Sequence, residues 1–158
     1  MWLGLLVSLW LGNTASAAPT SRHLQTNTPL VPSVYTFEGE SLPKVLTLAA
    51  RTMRICGCEI MVSHFVLERP SDPWFRLSIY LHGPFPTSMV PSLPDYWERA
   101  RFQGASLPTV LIEAAKYLEN CQCQNYVMDM TYERIYLEAD SIAPLHVVYV
   151  VIGWPFPT

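Results

Sequence analysis

The sequence predicts an α+β protein of two tandem β-α-β-β repeats, each a small three-stranded sheet with one amphipathic helix packed on one face. Three observations carry that expectation. The segment "SLPKVLTLAARTMRICGC" at 41–58 returns sixty-five positions later as "SLPTVLIEAAKYLENCQC" at 106–123. An ungapped alignment of 37–69 with 102–134 keeps 14 of 33 positions identical, far above chance, and "VPS" and "PFPT" each recur outside that block. Within each copy the apolar period switches from helical spacing to strand alternation, which fixes the type and order of the elements.

Each copy opens on a short strand, "VYTFEG" or "RARFQG", that ends at a glycine. Ser41 and Ser106 follow at N-cap positions, with Pro43 and Pro108 tolerated in the first helical turn. Leu42, Val45, Leu46, Ala49, Ala50 and Met53 then line one helical face, as do Leu107, Val110, Leu111, Ala114, Ala115 and Leu118. The alanine pairs imply close approach of helix to sheet. Two strands complete each copy: "CEIMVSHFVLE" and "WFRLSIYLHG" in the first, "CQNYVMDMTYERIYLE" and "LHVVYVVIGW" in the second. The last strands have diverged. In the first copy Phe75, Leu77, Ile79 and Leu81 alternate with Arg76, Ser78, Tyr80 and His82, while in the second both faces are apolar. A strand buried on both sides needs a second cover: the other repeat, a second copy in a homodimer, or a partner. Val147, Tyr149 and Val151, with Tyr80 in the first copy, are therefore candidate interaction residues.

Composition narrows the function classes. The 158 residues carry a net charge of −3 and are 50% hydrophobic, enough apolar material for a core and inconsistent with disorder. With no basic stripe to neutralise phosphates, nucleic acid is excluded as the main partner. The start, "MWLGLLVSLWLGNTASAAPTS", has a short apolar run followed by Ala15-Ser16-Ala17, the pattern of a cleaved secretory signal over 1–17. No Lys or Arg precedes the run, which leaves the signal weak or the true start upstream. A Pro/Thr-rich tail over 18–30 precedes repeats at 31–87 and 88–158. No other apolar segment reaches membrane length, so the mature chain is expected to be exported with no integral membrane segment.

The four cysteines, Cys56, Cys58, Cys121 and Cys123, occupy equivalent positions. In an exported chain disulfides are the default. Four cysteines allow three connectivities: two tight rings, each across one intervening residue, or two ways of stapling one repeat to the other. The same four could instead form a thiolate metal site, although C-x-x-C is the commoner ligand spacing. His64 aligns with Asp129, which excludes a catalytic role shared by both copies and leaves a pair across the repeat interface as an alternative. Glu68-Arg69 and Glu133-Arg134 read as surface ion pairs of small energetic weight. The chain contains no G-x-S-x-G elbow, no H-E-x-x-H and no P-loop. No catalytic residue is assigned, and no cofactor is expected.

Phe37, Gly39, Leu42, Val45, Leu46, Ala49 and Ala50, with their copies sixty-five positions on, form a strand-to-helix pattern that resembles the short N-terminal domain of secretins and TonB-dependent receptors. The resemblance spans about 35–81 and 100–152. Two departures stand out: Cys-x-Cys replaces the family's "G-x-(N/D)-(I/F)" run after the helix, and the second half has an extended hairpin. The resemblance implies a periplasmic protein–protein interaction or assembly module that docks onto another envelope protein, such as a secretion-system accessory. Two other functions fit the sequence: a small redox or metal-handling protein acting through the Cys-x-Cys loops, and an exported inhibitor.

Overall fold

The computed structural model describes residues 33–82, 97–137 and 143–153. The expected signal and tail, and all of the boundary motifs except Ser33, lie outside the described residues. The first repeat comprises β1 (Val34–Gly39), α1 (Leu42–Cys56), a 3-10 turn (Glu59–Met61), β2 (Val62–Ser71) and β3 (Trp74–Leu81). The second comprises β4 (Trp97–Gly104), α2 (Leu107–Cys121), a 3-10 turn (Gln124–Tyr126), β5 (Val127–Ile135) and β6 (Leu145–Gly153). Two β-α-β-β repeats of the α+β class are thus present.

Both sheets are antiparallel, in the orders β1-β3-β2 and β4-β6-β5. The last strand of each repeat therefore inserts between the two strands joined by the helix, and Phe37 faces Leu77 as Phe102 faces Val148. A central strand has no free edge, which is why β3 and β6 are the most apolar strands of their sheets. The same register irregularity recurs at Val62/His64 and Val127/Asp129. The repeats differ most in their hairpins: two residues, 72–73, join β2 to β3, whereas 136–144 lie between β5 and β6.

Gly39 and Gly104 are retained for a steric reason. A Cβ there would approach the Val45 or Val110 side chain to 3.3 or 3.2 Å, so each strand end lies tightly against its own helix. Each helix packs on its own sheet and also on the other helix. The alanine pairs are buried, and the residues of both repeats form one continuous apolar cluster. The sheets meet through β2 and β5, where Phe65 stacks on Tyr132 with centroids 5.0 Å apart.

The join between the repeats is reciprocal. Ser41 and Ser106 sit at the N-cap positions with extended backbone, but neither side chain caps its own helix. The first N–H of each helix, on the buried Leu42 and Leu107, is taken by the opposite repeat. Glu59 Oε2 accepts from Leu107 N at 2.9 Å and from Ser106 Oγ at 3.3 Å, and Gln124 Oε1 accepts from Leu42 N at 3.1 Å. Glu59 and Gln124 are equivalent residues, so each repeat caps the other's helix. The arginines expected in surface ion pairs also cross the boundary. Arg69 donates to the Asn125 and Gln124 carbonyls at 3.0 and 3.2 Å, and Arg134 donates to the Ile60 carbonyl. Their reach is set by position: each leaves a strand end that abuts the other repeat's 3-10 turn.

Losing an N-terminal cap costs about 1 kcal/mol. Glu59→Ala and Gln124→Ala should each lower unfolding free energy by about that amount in urea titrations. Ser41→Ala and Ser106→Ala, which remove the local but unused caps, should cost less.

Candidate functional site

Two groups of side chains could carry chemistry, the Cys-x-Cys loops and a buried polar pair in the second repeat. Each helix ends with its first cysteine, turns through one residue in the left-handed region, and meets the second cysteine. The turning residue is Gly57 (φ 60°) in the first repeat and Gln122 (φ 54°) in the second. Cys56 pairs with Cys58, and Cys121 pairs with Cys123, with Cα atoms 5.1 Å apart in both cases. Each pair closes within its own loop, so the cross-repeat staple does not form. All four sulfurs are engaged, which leaves no free thiolate for a metal. Among the described residues no cluster of His, Cys, Asp and Glu is arranged to hold one.

Cys58 and Cys123 are fully buried, Cys56 is exposed and Cys121 is half-buried. An incoming thiolate would attack the accessible sulfur and expel the buried one as an anion at a helix C-terminus. Burial and the negative end of the helix dipole both oppose that leaving group. The rings therefore work as covalent C-caps. Each holds the chain in the reversal a helix normally achieves with glycine.

Histidines and acids fall in separate places. His64 Nδ1 lies 3.0 Å from Ser63 Oγ, and its ring stacks on Tyr80 at 4.4 Å. Asp129 accepts from the Met130 N–H at 2.7 Å. The two do not pair. The residue that sequence reasoning missed is His146. Strand register makes it the counterpart of Phe75 and makes Tyr132 the counterpart of Leu67. Where the first repeat contributes Leu67 and Phe75 to the apolar cluster, the second places the Tyr132 hydroxyl 2.8 Å from His146 Nδ1. Burial holds His146 below its ordinary value of 6.5, with the Glu59 charge partly opposing and Arg134 reinforcing the shift. Burial also raises the Tyr132 hydroxyl well above the usual tyrosine range. The pair is a neutral, hydrogen-bonded replacement for two apolar side chains.

The outer face of β6 is covered more fully than expected. Val147 and Val151 are buried, Tyr149 is half-buried, and Tyr80 is the exposed member of the interaction set. Long polar side chains on the flanking strands contribute: the Arg99 guanidinium lies 5.5 Å from the Tyr149 ring, and the Tyr149 hydroxyl donates to Glu133 at 3.3 Å. The stems of such residues shield apolar surface while their heads stay in water. Val147 and Val151 thus offer a partner little area.

Comparison with protein-family models, with curated proteins and with solved structures returns no match for this chain.

Two measurements follow. His146 binds its proton less readily in the folded chain, so as pH falls below 6.5 the unfolded chain protonates first and stability declines until the folded pKa is reached. Wild type should therefore lose stability between neutral pH and mild acid. The pair Tyr132→Leu with His146→Phe, which restores the first repeat's core, should show a shallower decline in urea midpoints. At the helix ends, a left-handed non-glycine residue costs about 1 kcal/mol. Gln122→Gly should raise stability by up to that amount. Gly57→Ala should lower it similarly through the backbone alone, because a Cβ there meets nothing within 4 Å.

Proposed function

We propose that this chain is an exported, periplasmic protein–protein interaction or assembly module of the cell envelope. The observation that carries the reading is the pair of outer strands. β1 and β4 each pair on one side only among the described residues, at the far edges of sheets whose inner strands meet. An open edge presents unpaired N–H and C=O groups to an added strand from a partner. Both Cys-x-Cys pairs are closed, which suits the oxidising compartment that the leader pattern implies. No helix among the described residues is long and apolar enough to cross a membrane, which is compatible with a chain that docks onto an envelope protein.

The test combines processing with capture. The chain recovered from the exporting cell should be shortened near Ala17 and should take up alkylating reagent only after reduction. Immobilised protein should retain a discrete envelope protein, and Thr36→Pro in the β1 edge should weaken retention while the fold persists by circular dichroism. Unprocessed chain with four free thiols, or no retention at any salt, would count against the reading.

A further inference from the structure

The duplication supplies an internal control, since equivalent positions share a fold and differ only where selection or drift has separated them. The outward faces of the two helices have separated sharply. On α1 the exposed residues Lys44, Leu48, Arg51 and Ile55 recur at i, i+4, i+7 and i+11, a single stripe along the helix, with exposed Arg54 beside it. The equivalent residues of α2 are Thr109, Glu113, Lys116, Asn120 and Glu119, all exposed. One face therefore has three cations, no acid and two bulky apolar side chains. The other has one cation, two acids and no bulky apolar side chain.

Leu48 is 49% and Ile55 77% exposed, large values for such side chains on a helix that buries its other face. Among the described residues Lys44, Arg51 and Arg54 have no acidic partner, although the whole chain is net negative. Leu48 also borders a cleft of about 500 Å³ lined by Trp74, Lys44, Glu38 and Glu40. Trp74 is 41% exposed there. Its counterpart by register is Leu145, so the tryptophan belongs to the first repeat alone.

We propose that the outer face of α1 is a docking surface for an acidic, amphipathic polypeptide segment of a partner protein. The inference rests on the interaction-module reading and adds to it a surface and a partner chemistry. Apolar side chains of the segment lie against Leu48 and Ile55, one of them entering the cleft beside Trp74. Its carboxylates meet Arg51 and Arg54 toward the C-terminal end of the helix. Charge complementarity selects this occupant. Arg76 already pairs with Glu38, but Glu40 at the same end has no ion-pair partner among the described residues and opposes a uniformly anionic lipid surface, which a peptide avoids by placing its acids only along the arginines. The α2 face of a second copy lacks the apolar side chains that would cover Leu48 and Ile55.

The probe is a fluorescent amphipathic helical peptide about as long as α1, with leucines along one face and glutamates flanking them, alongside a twin with lysine for glutamate. Anisotropy with the full chain should show the glutamate peptide binding about tenfold or more tightly than its twin. Leu48→Asp with Ile55→Asp should weaken binding by about tenfold or more. Arg51→Glu with Arg54→Glu should reverse the preference toward the lysine twin, whereas Lys116→Glu on α2 should leave it unchanged. All these positions are exposed, and circular dichroism checks that each variant folds. Equal binding of the two peptides, binding of neither, or equal sensitivity to Lys116→Glu overturns the assignment. So does retention on phosphatidylglycerol vesicles, or dimerisation in sedimentation, if Leu48→Asp with Ile55→Asp abolishes it. Capture of an envelope protein equally by wild type and that variant would keep the module reading and reject this surface. Capture by neither, with peptide selectivity intact, would reject the module reading instead.

Discussion

A helix start exposes backbone N–H groups that need acceptors, and here the acceptors come from the other repeat. Glu59 caps α2 and Gln124 caps α1, with Arg69 and Arg134 fastening each strand end to the opposite 3-10 turn. This exchange couples the halves polar group by polar group. The packing of α1 on α2 and the Phe65–Tyr132 stack supply the apolar side of the same join. Neither half satisfies its own helix start, so separating them would expose both the shared core and the orphaned amides. The polar contacts add specificity to an interface that apolar burial alone would leave free to slide.

The repeat made the element order and the buried helix faces legible, because apolar spacing at 3.6 and at 2 is a local signal. The caps were less legible. Ser41 and Ser106 have the residue type and position of N-caps, yet the bonds pass to Glu59 and Gln124, a long-range choice that sequence spacing does not encode. The pairing of four cysteines was likewise open on counting alone. The left-handed turn at Gly57 and Gln122 brings each pair together within its loop and removes the need for a staple between repeats. His146 was overlooked for a related reason. Strand alternation placed it on one face of β6 but could not say that this face is the helix side, and only register against β4 aligns it with Phe75.

Divergence between the copies separates what the fold requires from what it tolerates. The glycines pressed against Val45 and Val110, the alanine pairs and the cysteine rings are kept in both, and each serves packing or chain reversal. The outward helix faces, the hairpins and the Leu67/Phe75 and Tyr132/His146 pairs differ. A buried tyrosine–histidine bond in place of two apolar side chains exchanges some area burial for a directional contact, and burial makes His146 less ready to take up a proton. The outer face of β6 is apolar, yet flanking arginine and glutamate side chains leave little of it for a partner. The surfaces left uncovered are the outer sheet edges and the outward helix faces.

Strand order also dictates a sequence of events during synthesis. The central strand of each sheet is the last of its repeat to leave the ribosome, so β1 has no strand partner until 74–81 emerges and β4 none until 145–153 does. The acceptor for the start of α1 lies at residue 124, deep in the second half. A nascent chain stopped before that point holds a first repeat with an uncapped helix and half of a shared core. The first repeat therefore completes its helix cap and its share of the common core only once the second repeat has emerged.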